Sequence, residues 1–564
     1  MKFKDYKYHR PDLEVIRPKF SSLLEKFKQA ASLNEQDAVM GEINTLRSEF
    51  ESMSQLASIR HTIDTTDTYY EKEQEYFDET MPVYEGLISE FYQALVNSSF
   101  RSSLQDKWGK QLFTIAELTL RTFKPEIIEE LQIENRLVTE YTKLIASASI
   151  MFEGEERNLP GLGPFQQSED RSMRKRANEA RYAFFAEHEE TLDRIYDELV
   201  KIRTTIARKL GYENYIELGY ARMLRSDYNP EMVANFRRQV TEEIVPAATK
   251  LRERQRKRLG LDVLMYYDEK INFSKGNAKP QGDPEWILDN GRKMYKELSS
   301  ETDEFFTFMI DHELMDLVSK KGKAGGGYCT FISEYRSPFI FSNFNGTSGD
   351  VDVLTHEAGH AFQVYCSQNF SLPEYQWPTY ESCEIHSMSM EFFAWPWMES
   401  FFKETADKYR FTHLSEALLF IPYGVTVDEF QHFIYSKPEA TIQERKSAWR
   451  QIEKKYLPHR NYEGNEYLEQ GGYWHQQSHI FSAPFYYIDY TLAQICAFQF
   501  WKKSRENRES AWQDYLKLCR LGGSQSFLSL VKEADLVSPF ANGCVEGVIQ
   551  AIETWLDNVD DSQL

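Results

Sequence analysis

The fold turns on one stretch, Pro338-Phe339-Ile340-Phe341-Ser342-Asn343-Phe344-Asn345-Gly346-Thr347-Ser348-Gly349-Asp350-Val351-Asp352-Val353-Leu354-Thr355-His356-Glu357-Ala358-Gly359-His360. Its first third is aromatic and β-branched and runs into turn residues, which predicts a strand. Residues 346–350 read as a turn, with Ser348 or Asp350 available to cap a helix beginning there. From there Val353, Leu354, Ala358, Ala361, Phe362 and Tyr365 build an apolar face at helical spacing, so the strand feeds a helix. Asp350 and Asp352 suit its positive first turn. His356 and His360 lie one turn apart on that helix. Both imidazoles can reach a single ion, and Glu357 beside them can address a bound water. Gly359 lets another segment approach closely.

With 12 histidines among 564 residues, an H-E-x-x-H match arises by chance about 0.02 times per chain of this length. The plain alternative is a helix with two unrelated histidines and a solvated glutamate. Chance rate and helical context weigh against it. A catalytic zinc requires a third protein ligand and one open position. In Glu381-Ser382-Cys383-Glu384-Ile385-His386-Ser387-Met388-Ser389-Met390-Glu391, Glu384 is the candidate. Glu391 shares its helical face and is expected to support the ligands from behind. Cys383 and His386 point to other faces and are expected to pack.

Working outward, residues 325–331 predict a second strand before the first. The chain ahead of it reads as successive helices over 21–60, 69–98, 103–122, 124–153 and 173–206. Residues 153–167, with Gly154, Pro160, Gly161, Gly163 and Pro164, predict a loop or small hairpin. Residues 263–268 predict a short strand. Past the motif, helices are expected from 381 onward, near 414–420, and over 441–455 and 489–501. The expected fold class is mainly α, with one small β-sheet next to the H-E-x-x-H helix.

The net charge of -22 leaves no basic stripe with which to displace counterions, which excludes broad nucleic-acid binding. No apolar run approaches the ~20 residues that span a bilayer. No apolar segment comes after the polar Met1–Tyr6 start, so a secretory signal is not expected. The six cysteines, 329, 366, 383, 496, 519 and 544, are widely spaced without a CxxC pair. They fit a reducing, cytoplasmic compartment.

The motif helix followed by E-x-x-S-x-x-x-E (Glu384, Ser387, Glu391) resembles the thimet oligopeptidase and oligoendopeptidase F metallopeptidases, most of all the bacterial oligoendopeptidase F branch with its Pz-peptidases. The likeness runs from about Arg203 onward. A second segment carries it too: Gly471-Gly472-Tyr473-Trp474-His475-Gln476-Gln477-Ser478-His479, then Pro484-Phe485-Tyr486-Tyr487-Ile488-Asp489-Tyr490. The resemblance implies one zinc ion held by His356, His360 and Glu384, with Glu357 as general base. It implies that His479, Tyr486 and Tyr490 serve the tetrahedral intermediate, with His475 and Tyr487 as substrate contacts. Spacing does not separate the roles of the three tyrosines, and leaves His475 either a second contact or a bystander. Two helical lobes around a substrate channel are implied as well, divided here as 1–190 and a catalytic region of 191–564. Short peptides are the expected partners. The strand at 339–344, taken as an edge, is expected to bind substrate backbone by strand addition. The alternatives are a helical zinc carboxypeptidase, whose D-x-R-x-T and H-E-S-Q-S segments are missing, and a non-catalytic helical binding protein.

Overall fold

A computed structural model describes all 564 residues. It is 71% helical and has two small sheets, the mainly α architecture expected. Local chemistry decides where the helices stop. The run at 21–60 is two helices, Leu13–Gln29 and Leu33–Ile63. Ser32 Oγ accepts from Glu35 N–H at 3.2 Å while the Glu35 carboxylate accepts from Ala31 N–H at 2.8 Å. Those two bonds satisfy donors that a new helix start leaves open. The run at 103–122 parts at Gly109 into Arg101–Trp108 and Lys110–Thr122.

The expected hairpin forms from β1 (Ile150–Phe152) and β2 (Glu155–Arg157), paired antiparallel. Glu153 and Gly154 between them both take positive φ, 51° and 81°, as a two-residue hairpin turn requires. The expected strand at 263–268 is absent. Tyr266–Asp268 is a 3-10 turn, because the fully buried Asp268 accepts from Met265 N–H at 3.1 Å and pairs with Arg171 and Arg174, each at 2.7 Å. A local cap and two arginines outweigh β propensity there.

The second sheet has the order β3-β5-β4: β3 (Met315–Val318), β4 (Tyr328–Ile332) and β5 (Ser337–Phe344). β5 runs parallel to β3 and antiparallel to β4. Both faces of β5 are covered, with Phe339, Ile340 and Phe341 at most 1% exposed. The strand at 339–344 is therefore central and cannot accept another strand. The unpaired edge on the motif side belongs to β4, and that corrects the sequence expectation.

β5 feeds the motif helix Gly349–Ser367 through the 345–348 turn. Asp350 accepts from Asn345 and Gly346 N–H, both at 2.8 Å, so it ties the turn down instead of capping the helix; Ser348 makes no side-chain cap. The motif helix packs on the ligand helix Tyr380–Phe393, which in turn packs on Tyr487–Glu506. A Cβ on Gly359 would sit 2.6 Å from both the His386 carbonyl oxygen and Ser387 Cα. The close approach expected at that glycine is the ligand helix itself. No helix is long and apolar enough to cross a membrane, and all six cysteines are free.

Candidate metal centre and active site

The structure brings His356, His360 and Glu384 together, with one donor atom from each inside a 4.8 Å spread. His356 Nε2 and His360 Nε2 lie 3.2 and 3.3 Å from Glu384 Oε2. Ligands of a tetrahedral zinc at 2.0–2.1 Å stand about 3.3 Å apart, so the donor set fits that ion. Charge argues the same way. Burial disfavours an imidazolium at His356, yet the hydrogen bonds and charges of Glu384 and Glu391 outweigh it and hold its pKa well above the ordinary value. Burial would also raise the Glu384 pKa, but His360 and His356 hold it well below its usual range. The cluster calls for a cation.

Partners behind the donors fix their orientation. His356 Nδ1 donates to Glu391 Oε1 at 2.7 Å, which leaves Nε2 to face the centre. Glu391 Oε2 accepts from His413 Nε2 at 2.8 Å, and Trp395 Nε1 donates to His413 Nδ1 at 3.1 Å. Ser387 Oγ donates to Glu384 Oε2 at 2.8 Å, while the Tyr486 hydroxyl donates to Glu384 Oε1. Such partners set ligand basicity and aim. Glu391 and Ser387 stood in the sequence pattern. His413, in the helix Ala406–Ser436 and in no motif, gave no signal.

Glu357 follows His356 into the same space. Its Oε2 is buried with no hydrogen-bond partner, and burial pushes its pKa up, with His356 and His360 pulling against it. A Cβ on Gly327 would come 3.2 Å from Glu357 Oε1, so bare backbone at the start of β4 borders this carboxylate.

His479 enters from the short helix Ser478–Ser482. Tyr423 OH donates to Gln477 Oε1 at 2.8 Å, so the Gln477 amide nitrogen faces His479 Nδ1, also at 2.8 Å. The His479 proton is thereby placed on Nε2, which meets Tyr490 OH at 3.1 Å. Burial holds the His479 pKa down to about 4 against the pull of Glu384. Its imidazole is neutral and carries its proton on Nε2. Tyr487 packs its ring 5.1 Å from the His479 ring.

The structure does not bring His475 to this place. It is fully buried, with Nδ1 against Tyr467 OH at 2.8 Å and Nε2 against Asp193 at 3.0 Å, and its carbonyl accepts from Tyr141 OH. That histidine ties helices together. A 3-10 turn, Tyr473–Gln476, and the extended Gln477 separate it from His479.

His356, Glu357, His360, Glu384, His479, Tyr486 and Tyr490 line one cavity of about 700 Å³. Gly327, Tyr328, Cys329 and Thr330 of the β4 edge border it, and Arg47, Glu51, Ile88 and Tyr92 of the N-terminal helices form the facing wall. A smaller recess of about 300 Å³ shares His479 and Tyr490 and adds Asp352, Glu391, Glu416 and Tyr487. Nothing in the sequence marked the N-terminal wall.

Residues 165–548 match the model of peptidase family M3, and residues 3–123 match the peptidase M3 N-terminal domain. Among solved structures, Pz peptidase A with an inhibitor is 62% identical, covers all of both chains and superposes with a TM-score of 0.99. A Bacillus anthracis structure described as an oligoendopeptidase F is 59% identical over all of this chain and 99% of that one, with a TM-score of 0.95. The oligoendopeptidase F homologue of Borreliella burgdorferi is 24% identical over 421 residues, 70% of this chain and 68% of that one.

Proposed function

The chain belongs to peptidase family M3 and acts on oligopeptides, and on that footing we propose that it is a zinc-dependent oligoendopeptidase in which His356, His360 and Glu384 hold one zinc ion and Glu357 is the general base. The observation that carries this reading is the convergence of three donors on one point beside the partnerless oxygen of Glu357. Zinc bound there would supply the Lewis acidity that polarises a peptide carbonyl and makes water acidic near neutral pH.

The remaining work falls to the chain's own groups. Glu357 takes the proton of the attacking water and returns it to the leaving amine. His479, held as the Nε2–H tautomer by Gln477, donates to the developing oxyanion together with the Tyr490 hydroxyl. Tyr486, already bonded to Glu384, steadies the ligand carboxylate. The peptide backbone adds to the free edge of β4, which gives affinity with little sequence demand. The region up to 190 supplies the facing wall and 191–564 the chemistry, as two helical lobes across a substrate channel. Six free thiols suit the cytoplasm.

An internally quenched peptide blocked at both ends tests this. Cleavage that a chelator abolishes and zinc restores is expected. Trimming of free peptides only would favour the carboxypeptidase alternative, and cleavage indifferent to chelation would remove the metal from the reading.

A further inference from the structure

The cavity of the metal cluster reaches a second polar group, contributed by the N-terminal helices. Arg47 and Glu51 come from Leu33–Ile63, Tyr92 from Thr68–Val96, and Glu374 from the Pro373–Tyr375 turn. Arg47 Nη1 and Tyr92 OH both donate to Glu374 Oε1, at 2.7 and 2.5 Å. Glu374 Oε2 is left buried without a partner, on a side chain only 4% exposed. Glu51 lines the same cavity, accepts from Tyr84 OH at 3.2 Å and stands 3.9 Å from Arg47 Nε. One cation thus faces two carboxylates. The buried, partnerless oxygen of Glu374, with the partly exposed Glu51 as a second carboxylate beside a single arginine, favours a cationic partner.

The position of this group along β4 says where on a peptide that partner would be. Helix Leu33–Ile63 runs beside the strand. Thr62 Oγ1 meets Tyr328 OH at 2.7 Å, Thr330 Oγ1 donates to Gln55 Oε1 at 2.7 Å, and Glu334 N–H donates to Ser52 Oγ at 2.9 Å. Glu51 therefore lies toward the far end of β4 from Gly327, which borders Glu357. A strand advances roughly 10 Å in the three residues between Gly327 and Thr330.

We propose that the recess of Glu51 and Glu374 is a subsite for a cationic group of the bound peptide, its amino-terminal ammonium or a lysine or arginine side chain, roughly two to four residues from the cleaved bond. The inference rests on the peptidase reading above. Ile88 and Ile115, which line the same cavity, would sheath the methylene stem of a long basic side chain.

The test uses quenched peptides of equal length carrying arginine, norleucine or glutamate at one position, scanned across the cleaved bond, with the amino terminus free or acetylated. At one position, or for a free terminus, the wild-type enzyme is expected to favour the cationic peptide by about ten-fold in kcat/KM. Glu51→Gln should bring that ratio close to one, and Glu51→Lys should turn it toward glutamate. Each ratio is taken on one preparation, so a loss of folded protein cancels. The acetylated series tells the ammonium from the side chain. If the wild type cleaves the norleucine peptides but discriminates nowhere, or if both Glu51 variants keep the ratio, the subsite is wrong and the peptidase reading stands. If it cleaves none of the peptides, both fall.

Discussion

Glu357, with its unpaired carboxylate oxygen beside three converging donors, defines the first prediction. Glu357→Gln should keep its metal and lose about 10²–10⁴-fold in kcat, as metal content and turnover would show. Metal lost along with activity would make Glu357 a structural residue instead. Tyr486 and His479 are next to each other in the site but are expected to fail differently. Tyr486→Phe removes a donor from Glu384 and should weaken zinc binding by about 10–100-fold in a chelator competition. His479→Phe touches no ligand and should lower kcat by about 10²–10³-fold with zinc retained. At this scale His356, His360, Glu384 and Glu391 were legible, because a helix converts a spacing of four or seven into a shared face. His475 was not, since its neighbours come from the helices around Tyr141, Asp193 and Tyr467.

Among the elements, the motif and ligand helices meet in a close backbone contact at Gly359. Gly359→Ala would press a methyl group onto the backbone at His386 and Ser387, 2.6 Å away. Backbone cannot rotate aside as a side chain can, so a loss of about 3 kcal/mol is expected in urea unfolding, with weaker zinc binding because Glu384 rides on the displaced helix. Unchanged stability would mean that the two helices slide freely. The sheet is governed by longer-range contacts. Both strands beside the motif were legible from their aromatic and β-branched runs, but which of them is an edge depends on β3, a four-residue strand that gave no sequence signal.

The whole molecule is cross-tied by buried charge. Glu134, in the helix Ile128–Ala146, accepts from Arg203 Nε at 2.6 Å and Arg222 Nη1 at 2.9 Å, and Arg203 also donates to the Phe481 carbonyl beside His479. Burial alone would raise the Glu134 pKa, but Arg222 and Arg203 outweigh it and hold it at about 2, against 4.5 for an unperturbed glutamate. Because the folded value is the lower one, its stabilisation is complete above about pH 4.5 and drains away as pH falls toward 2, about 3 kcal/mol in all. Urea midpoints at neutral and acid pH should therefore diverge in the wild type and diverge less in Glu134→Gln, which itself should cost about 3–5 kcal/mol at neutral pH by leaving two arginines buried without their partner. A variant with the wild-type acid slope would dismiss the tie. By itself the sequence determined the helical class, the strand–turn–helix unit and the placing of His356, His360, Glu384 and Glu391 on the H-E-x-x-H helix and its neighbour, because periodicity and spacing along one element are local properties of the chain. Tertiary structure alone decided that β4 and not β5 offers its edge, that His475 is a tie, and that Arg47, Glu51 and Glu374 share a cavity with His356, His360 and Glu384. Those facts depend on which distant segments meet. Burial that is satisfied by partners hundreds of residues away leaves no periodic trace in the sequence.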